Sequence, residues 1–146
     1  MRLLVTVGAA LAAVALVFGG LTLYALEGRE VVVVRTRAAD GAARETRTWV
    51  ADEDGSLWIE AAFPERPFFQ QLLAVPDIEV VRGGMVRRYR AAPVPNPEGH
   101  ARIRSLLAQK YGWADAWIGL LQDTSRSVAV RLEPIEAPQT ASDATG

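Results

Sequence analysis

Cysteine is absent from this 146-residue chain, which excludes disulfides, thiolate metal sites, a cysteine nucleophile and a lipid-modified cysteine. Histidine occurs once, at His100, so no second imidazole supports a metal centre, and no carboxylate cluster has recognisable metal-ligand spacing. Lysine also occurs once, at Lys110, and the remaining basic residues are all Arg. They create no basic excess. The formal net charge is -1, so phosphate neutralisation along a nucleic acid is not expected. Ser105, Ser125 and Ser127 lack the strand–turn–helix context of a nucleophilic serine, and nothing in the chain reads as a hydrolase.

Charge and proline are both missing from Leu3 to Leu26, a run made mostly of Leu, Val, Ala and Phe. As a helix it would be about 36 Å long at ~1.5 Å per residue, enough to cross a hydrocarbon core of about 30 Å. The apolar region of a secretory signal is only about 7–15 residues long. No clean small-x-small cleavage site precedes Glu27. The chain therefore divides into a single-pass membrane anchor over 1–28, a folded domain over 29–134 and a disordered Pro-, Ala-, Thr- and Ser-rich tail over 135–146. Arg2 flanks one end of the run; Arg29, Arg35 and Arg37 lie beyond the other, which places the domain on the cytoplasmic side.

Beyond the anchor the pattern is that of antiparallel strands. Val31–Arg37 is β-branched, Ala38–Gly41 is a turn, and Arg44–Ala51 is the returning strand. Asp54-Gly55 before Leu57–Ala62 is a hairpin signal, because both central positions of a type I′ turn need positive φ. Gly83-Gly84 marks another hairpin between Ile78–Arg82 and Met85–Ala91. Phe68–Ala74 reads as a short helix, and Asn96-Pro97-Glu98 starts a longer one with Asn as its cap. That helix ends at Gly112, and a short apolar helix comes next over Trp113–Leu121, able to lie at a membrane interface. Ser127–Leu132 is the last strand. The fold class is mainly β: a small barrel of about six antiparallel strands with two or three short helices, preceded by one transmembrane helix.

Arginines mark both outer hairpins: Arg35, Arg37, Arg44 and Arg47 on the first, Arg82, Arg87, Arg88 and Arg90 on the later one. Guanidinium groups sharing one face can bind phosphate or carboxylate, or can form a solvated face with Glu45, Asp52, Glu60 and Glu79. Trp49, Trp58, Phe63, Phe68, Phe69, Tyr111, Trp113 and Trp117 can line a pocket for a planar ligand or pack the core. His100, in the first turn of its helix, reads as a surface residue, with haem ligation as a minor reading.

The order of these pieces resembles the deazaflavin-dependent nitroreductase family of the flavin-binding split β-barrel superfamily. The resemblance runs from Val31–Thr36 through Arg44–Thr48, Leu57–Glu60 and Pro67–Pro76. It continues past Ile78–Val80, Gly83-Gly84 and Tyr89–Ala91 to Val128–Pro134. It implies a split barrel that holds FMN or the deazaflavin F420, with hydride chemistry supplied by the ring. Family members usually carry a Gly-Arg-Lys-Ser-Gly-like turn after the first strand; here it is Ala38-Ala39-Asp40-Gly41-Ala42-Ala43, with no Lys or Ser. The basic element that carries over is Arg44, Arg47 and Thr48, and Trp58 and Phe68 join them as expected cofactor contacts. The implied function is a membrane-anchored oxidoreductase acting on a lipophilic acceptor such as a quinone or nitro compound, with no catalytic side chain assigned. A non-catalytic split-barrel module at the membrane is the alternative. A homodimer is compatible with either reading.

Overall fold

The computed structural model describes residues 2–27 and 29–135, so the expected tail lies outside the described residues except for Ile135. The chain opens with helix α1 (Arg2–Glu27). Its segment Val5–Leu26 is long and apolar enough to cross a membrane, and only 6% of it is buried.

Seven strands come after it: β1 (Val31–Arg37), β2 (Ala43–Trp49), β3 (Ala51–Glu53), β4 (Ser56–Ala61), β5 (Asp77–Arg82), β6 (Met85–Val94) and β7 (Val128–Pro134). They form one antiparallel sheet in the order β2-β1-β5-β6-β7-β4-β3. The expected returning strand 44–51 is interrupted at Val50, and the two pieces lie at opposite edges of the sheet. One residue thus carries the chain from edge to edge, which curls the sheet into a half-barrel. The hairpins fall where turn chemistry placed them. Asp54 and Gly55 have φ of 49° and 76°, the conformation that this turn demands.

Alternation along the strands sorts two packed layers. Val32 and Val34 of β1, Ile59 of β4, Val80 of β5 and Leu132 of β7 fill the barrel, which Phe69 and Leu72 of helix α2 (Pro67–Ala74) close. The opposite face of β4 and β7 carries Trp58 and Ala129, covered by Ile103, Leu106, Leu107 and Tyr111 of helix α3 (Glu98–Tyr111). Asn96 does not cap α3 as expected. Its side-chain amide donates to the Ser127 carbonyl at 3.0 Å, and the helix starts without a side-chain cap. Gly99 lets α3 press on the end of β6: a Cβ there would lie 2.3 Å from the Val94 carbonyl oxygen. Gly112, with φ of 54°, ends α3 and leads into α4 (Trp113–Leu121). β7 runs through Pro134, and the Ile135 N–H still bonds the Arg88 carbonyl at 3.0 Å.

Helix α4 packs on α1. Phe18 and Trp117 have ring centroids 4.9 Å apart, Tyr24 stacks on Trp113 at 6.0 Å, and the Arg29 guanidinium lies over the Trp113 ring. The segment between α1 and β1 is tied down by charge. Arg82 binds both Glu30 and Asp52, and Lys110 binds the same two carboxylates at 2.5 and 3.0 Å. Two cations and two anions from four separate segments make this ring neutral. The Arg82 hydrogen bond is the main reason the Asp52 carboxyl is held down at about 2.

Candidate functional site

A cavity of about 370 Å³ opens between the barrel and the two helices α1 and α4, near the lower end of the range for small-molecule sites. Its apolar wall comes from Leu26 in the last turn of α1, Val31 and Trp49 at the end of the first hairpin, Leu107 of α3 and Ile118 of α4. Trp49 is held from behind by Tyr111, whose ring stacks on it at 4.6 Å. The polar part comes from Arg47 and Thr48 of β2, Glu60 of β4, Arg104 of α3, Asp115 of α4, and Gln122 and Thr124 beyond α4.

These polar groups fall into two sets. Arg104 donates to both Asp115 oxygens at 2.6 Å and to Glu60 Oε2 at 3.0 Å, so one guanidinium is shared between two carboxylates. The Asp115 side chain is 7% exposed and the Glu60 side chain 13%; charges so enclosed persist because they are paired. The Ser127 hydroxyl, fully buried, donates to Glu60 Oε1 at 2.6 Å. Arg47, in contrast, is exposed and has no carboxylate in reach among the described residues. The cavity thus carries a floor in which one guanidinium serves two carboxylates, leaving one negative charge in excess, and one uncommitted cation, Arg47.

The residues singled out in the sequence are only partly brought together. Arg47 and Thr48 line this cavity. Arg44 lines a different hollow of about 670 Å³, beside Arg35, Arg37 and Arg88. The register explains the separation. Arg44 stands opposite Thr36, whose side chain points inward, and Arg47 stands opposite Val33 on the other face of the strand. Trp58 is 8% exposed beneath α3, and Phe68 packs against the barrel core, so neither lines the cavity. Of the other arginines, Arg35 pairs with Glu45 at 2.8 Å and Arg90 with Asp77 at 2.8 Å. The Ala38–Ala43 turn closes on itself, because Asp40 Oδ1 accepts the Ala42 N–H at 2.9 Å.

Glu60, Arg104, Asp115 and Ser127 escaped the sequence reading as members of a site. The sequence signal that could have found one of them is Asp115, the one charged residue in the apolar helix Trp113–Leu121. His100, expected at the surface, is half-buried with its Nδ1 3.0 Å from the Ser127 hydroxyl. No metal-binding group of three or more ligands occurs among the described residues.

No protein-family model and no curated protein matches the chain. Solved structures do match its fold. An F420-H2 dependent reductase superposes with a TM-score of 0.56 at 20% identity, over 72% of this chain and 95% of its own. A FAD-binding protein from Mesorhizobium loti gives 0.52 at 19% identity, over 75% and 82%. HutZ, the haem storage protein from Vibrio cholerae, gives 0.58 at 13% identity, over 77% and 87%. The barrel read from the sequence is therefore the fold that these structures share.

Proposed function

We propose that this chain is a membrane-anchored oxidoreductase that holds a flavin or deazaflavin in the cavity beside α1 and takes a lipophilic acceptor, such as a quinone or nitro compound, from the bilayer. The observation that carries this reading is the position of the cavity: Leu26, at the end of the helix long enough to span a membrane, forms part of its wall. Three contacts support the helix as a retained anchor. Phe18, Thr22 and Tyr24 are engaged by Trp117 and Trp113, contacts that a cleaved signal would forfeit. Leu120 is 81% exposed and Leu121 45% exposed on α4, an apolar surface adjoining that of α1 and suited to the membrane interface. Arg29, just after α1, supports a cytoplasmic domain.

The residues fit a planar ligand with one anionic end. Trp49, Val31 and Ile118 offer flat apolar contact, Arg47 offers an unpaired guanidinium, and Thr48, Thr124 and Gln122 offer hydrogen bonds. The ring, when bound, would supply the hydride chemistry. The chain's own residues bind it, exclude water with α4, and hold the two floor carboxylates in place through Arg104. Haem ligation in this cavity draws no support from His100, which is not among the residues that line it.

The test is titration of flavin mononucleotide and of F420 into the detergent-solubilised full chain, followed by absorbance and fluorescence. Binding at micromolar concentration is expected for one of them. If neither binds, the non-catalytic module takes the place of the enzyme; the closed, acidic Ala38–Ala43 turn is the observation that favours that alternative.

A further inference from the structure

Ser127 stands between His100 and Glu60. Its hydroxyl is 2.6 Å from Glu60 Oε1 and 3.0 Å from His100 Nδ1, and Ser127 itself has no solvent exposure. The order His–Ser–Glu excludes a nucleophilic serine, because the acid meets the serine directly rather than through the imidazole. The direction of each hydrogen bond is set by elementary valence. Glu60, paired with Arg104, is an ionised carboxylate that only accepts. Ser127 has one proton and gives it to Glu60. His100 must then donate its Nδ1–H to the serine oxygen, which fixes the neutral imidazole as the Nδ1–H tautomer. The result is a directed chain from a half-buried imidazole on one side of α3 to a carboxylate on the cavity floor.

We infer that His100, Ser127 and Glu60 form a proton wire that supplies the cavity beside α4. The imidazolium releases its Nδ1 proton to Ser127 Oγ as the serine proton moves to Glu60 Oε1. That leaves a neutral imidazole protonated at Nε2 and a neutral Glu60. Glu60 passes its proton to the occupant of the cavity and the carboxylate is restored; the Ser127 hydroxyl then turns back to Glu60, and the imidazole ring turns out to take one proton from solvent at Nδ1 and returns as the imidazolium. One proton crosses per cycle and no electron moves along the wire. Arg104 of α3, itself bonded to Asp115 of α4, faces Glu60 and holds it in place. The use of that proton in reduction rests on the oxidoreductase reading; the wire itself rests only on the geometry.

The lone histidine makes the test direct, since its ring nitrogens are the only imidazole signals in ¹⁵N NMR spectra of the full chain. At a pH where the ring is neutral, wild type is expected in the Nδ1–H form. In Glu60→Gln the new amide donates to Ser127, the hydroxyl turns toward His100, and the tautomer should reverse to Nε2–H. Ser127→Thr should keep the wild-type form, and Ser127→Ala should lose it. An Nε2–H wild type, or a Glu60→Gln variant with an unchanged tautomer, overturns the wire. A second arm loads the protein with flavin mononucleotide and monitors oxidation by a soluble benzoquinone. His100→Ala should slow turnover at least ~10-fold, with recovery on adding free imidazole, as for a lost proton donor. Slowing without rescue overturns the wire. If no flavin binds, the enzyme reading fails and the tautomer still decides the wire.

Discussion

Trp117 donates its indole N–H to the Thr22 hydroxyl at 3.1 Å, so the last helix of the domain is bonded to the N-terminal helix. Thr22 in turn reaches back to the Phe18 carbonyl, and the Phe18 ring tilts against the same indole. Removing residues 1–27 would uncover both tryptophans of α4. A shortened chain starting at Gly28 is expected to fold, to show red-shifted tryptophan emission, and to adhere to anionic lipid vesicles through α4. Unchanged emission would mean that α4 does not depend on α1. The full chain should stay with membranes through an alkaline carbonate wash.

The separation of Arg47 from Arg44 gives the ligand site a sharp test. A charge-assisted hydrogen bond is worth roughly 1.5–3 kcal/mol, so Arg47→Ala should weaken flavin binding by about 10- to 150-fold. Arg44→Ala should leave it unchanged, because Arg44 lines the other hollow. Equal losses in the two variants would move the site away from the cavity.

Tyr111 is a stability residue. Its hydroxyl accepts the Val50 N–H at 3.2 Å and lies 2.7 Å from the Val50 carbonyl and 2.9 Å from that of Glu30. Burial raises its pKa, in keeping with a phenol that stays protonated. Tyr111→Phe strands backbone groups of the buried Val50, and should cost about 1–3 kcal/mol in denaturant unfolding of the shortened chain.

Asp52 sets an acid limit. Its folded pKa of about 2 lies below the ordinary 3.8, so the folded state favours the ionised form. That contribution is complete above pH ~4 and is lost as pH falls through the folded value near 2. Asp52→Asn should flatten the fall in thermal stability between pH 4 and 2, measured by circular dichroism. Glu30, lowered chiefly by its bond to Arg82, shares the direction, so part of the slope should remain.

Gly99 admits no side chain without movement. Gly99→Ala would press a Cβ on the Val94 carbonyl and should destabilise by about 1–3 kcal/mol.

The hairpins were legible because turn chemistry is local: Asp54-Gly55 and Gly83-Gly84 announce their positive φ in the residues themselves. The pairing of β4 with β7 was not, since Leu57 meets Leu132 across most of the domain and nothing near either residue encodes the partner. The split between Arg44 and Arg47 comes from the strand period of two, which puts positions three apart on opposite faces. The floor of the cavity was hidden for a different reason. His100, Arg104, Asp115, Ser127 and Glu60 come from two helices, a strand and a turn, and each alone looks like an ordinary surface polar residue. Asn96 shows the same limit on a smaller scale, as its local capping role yields to a distant carbonyl.

The sheet order also bears on how the molecule is made. β7 leaves the ribosome after the other six described strands, yet it lies between β6 and β4 in the middle of the sheet. α1 emerges before all seven. From the time each is made until β7 arrives at Val128, β4 and β6 each present an open edge, at the stage when a nascent chain is most prone to pair with a neighbour. A helix already held in a lipid phase would keep such chains apart in two dimensions while they wait for their final strand. An assay of ribosome-bound chains, lengthened at the C-terminus so that β7 lies either inside or outside the exit tunnel, should find protease resistance appearing only in the second.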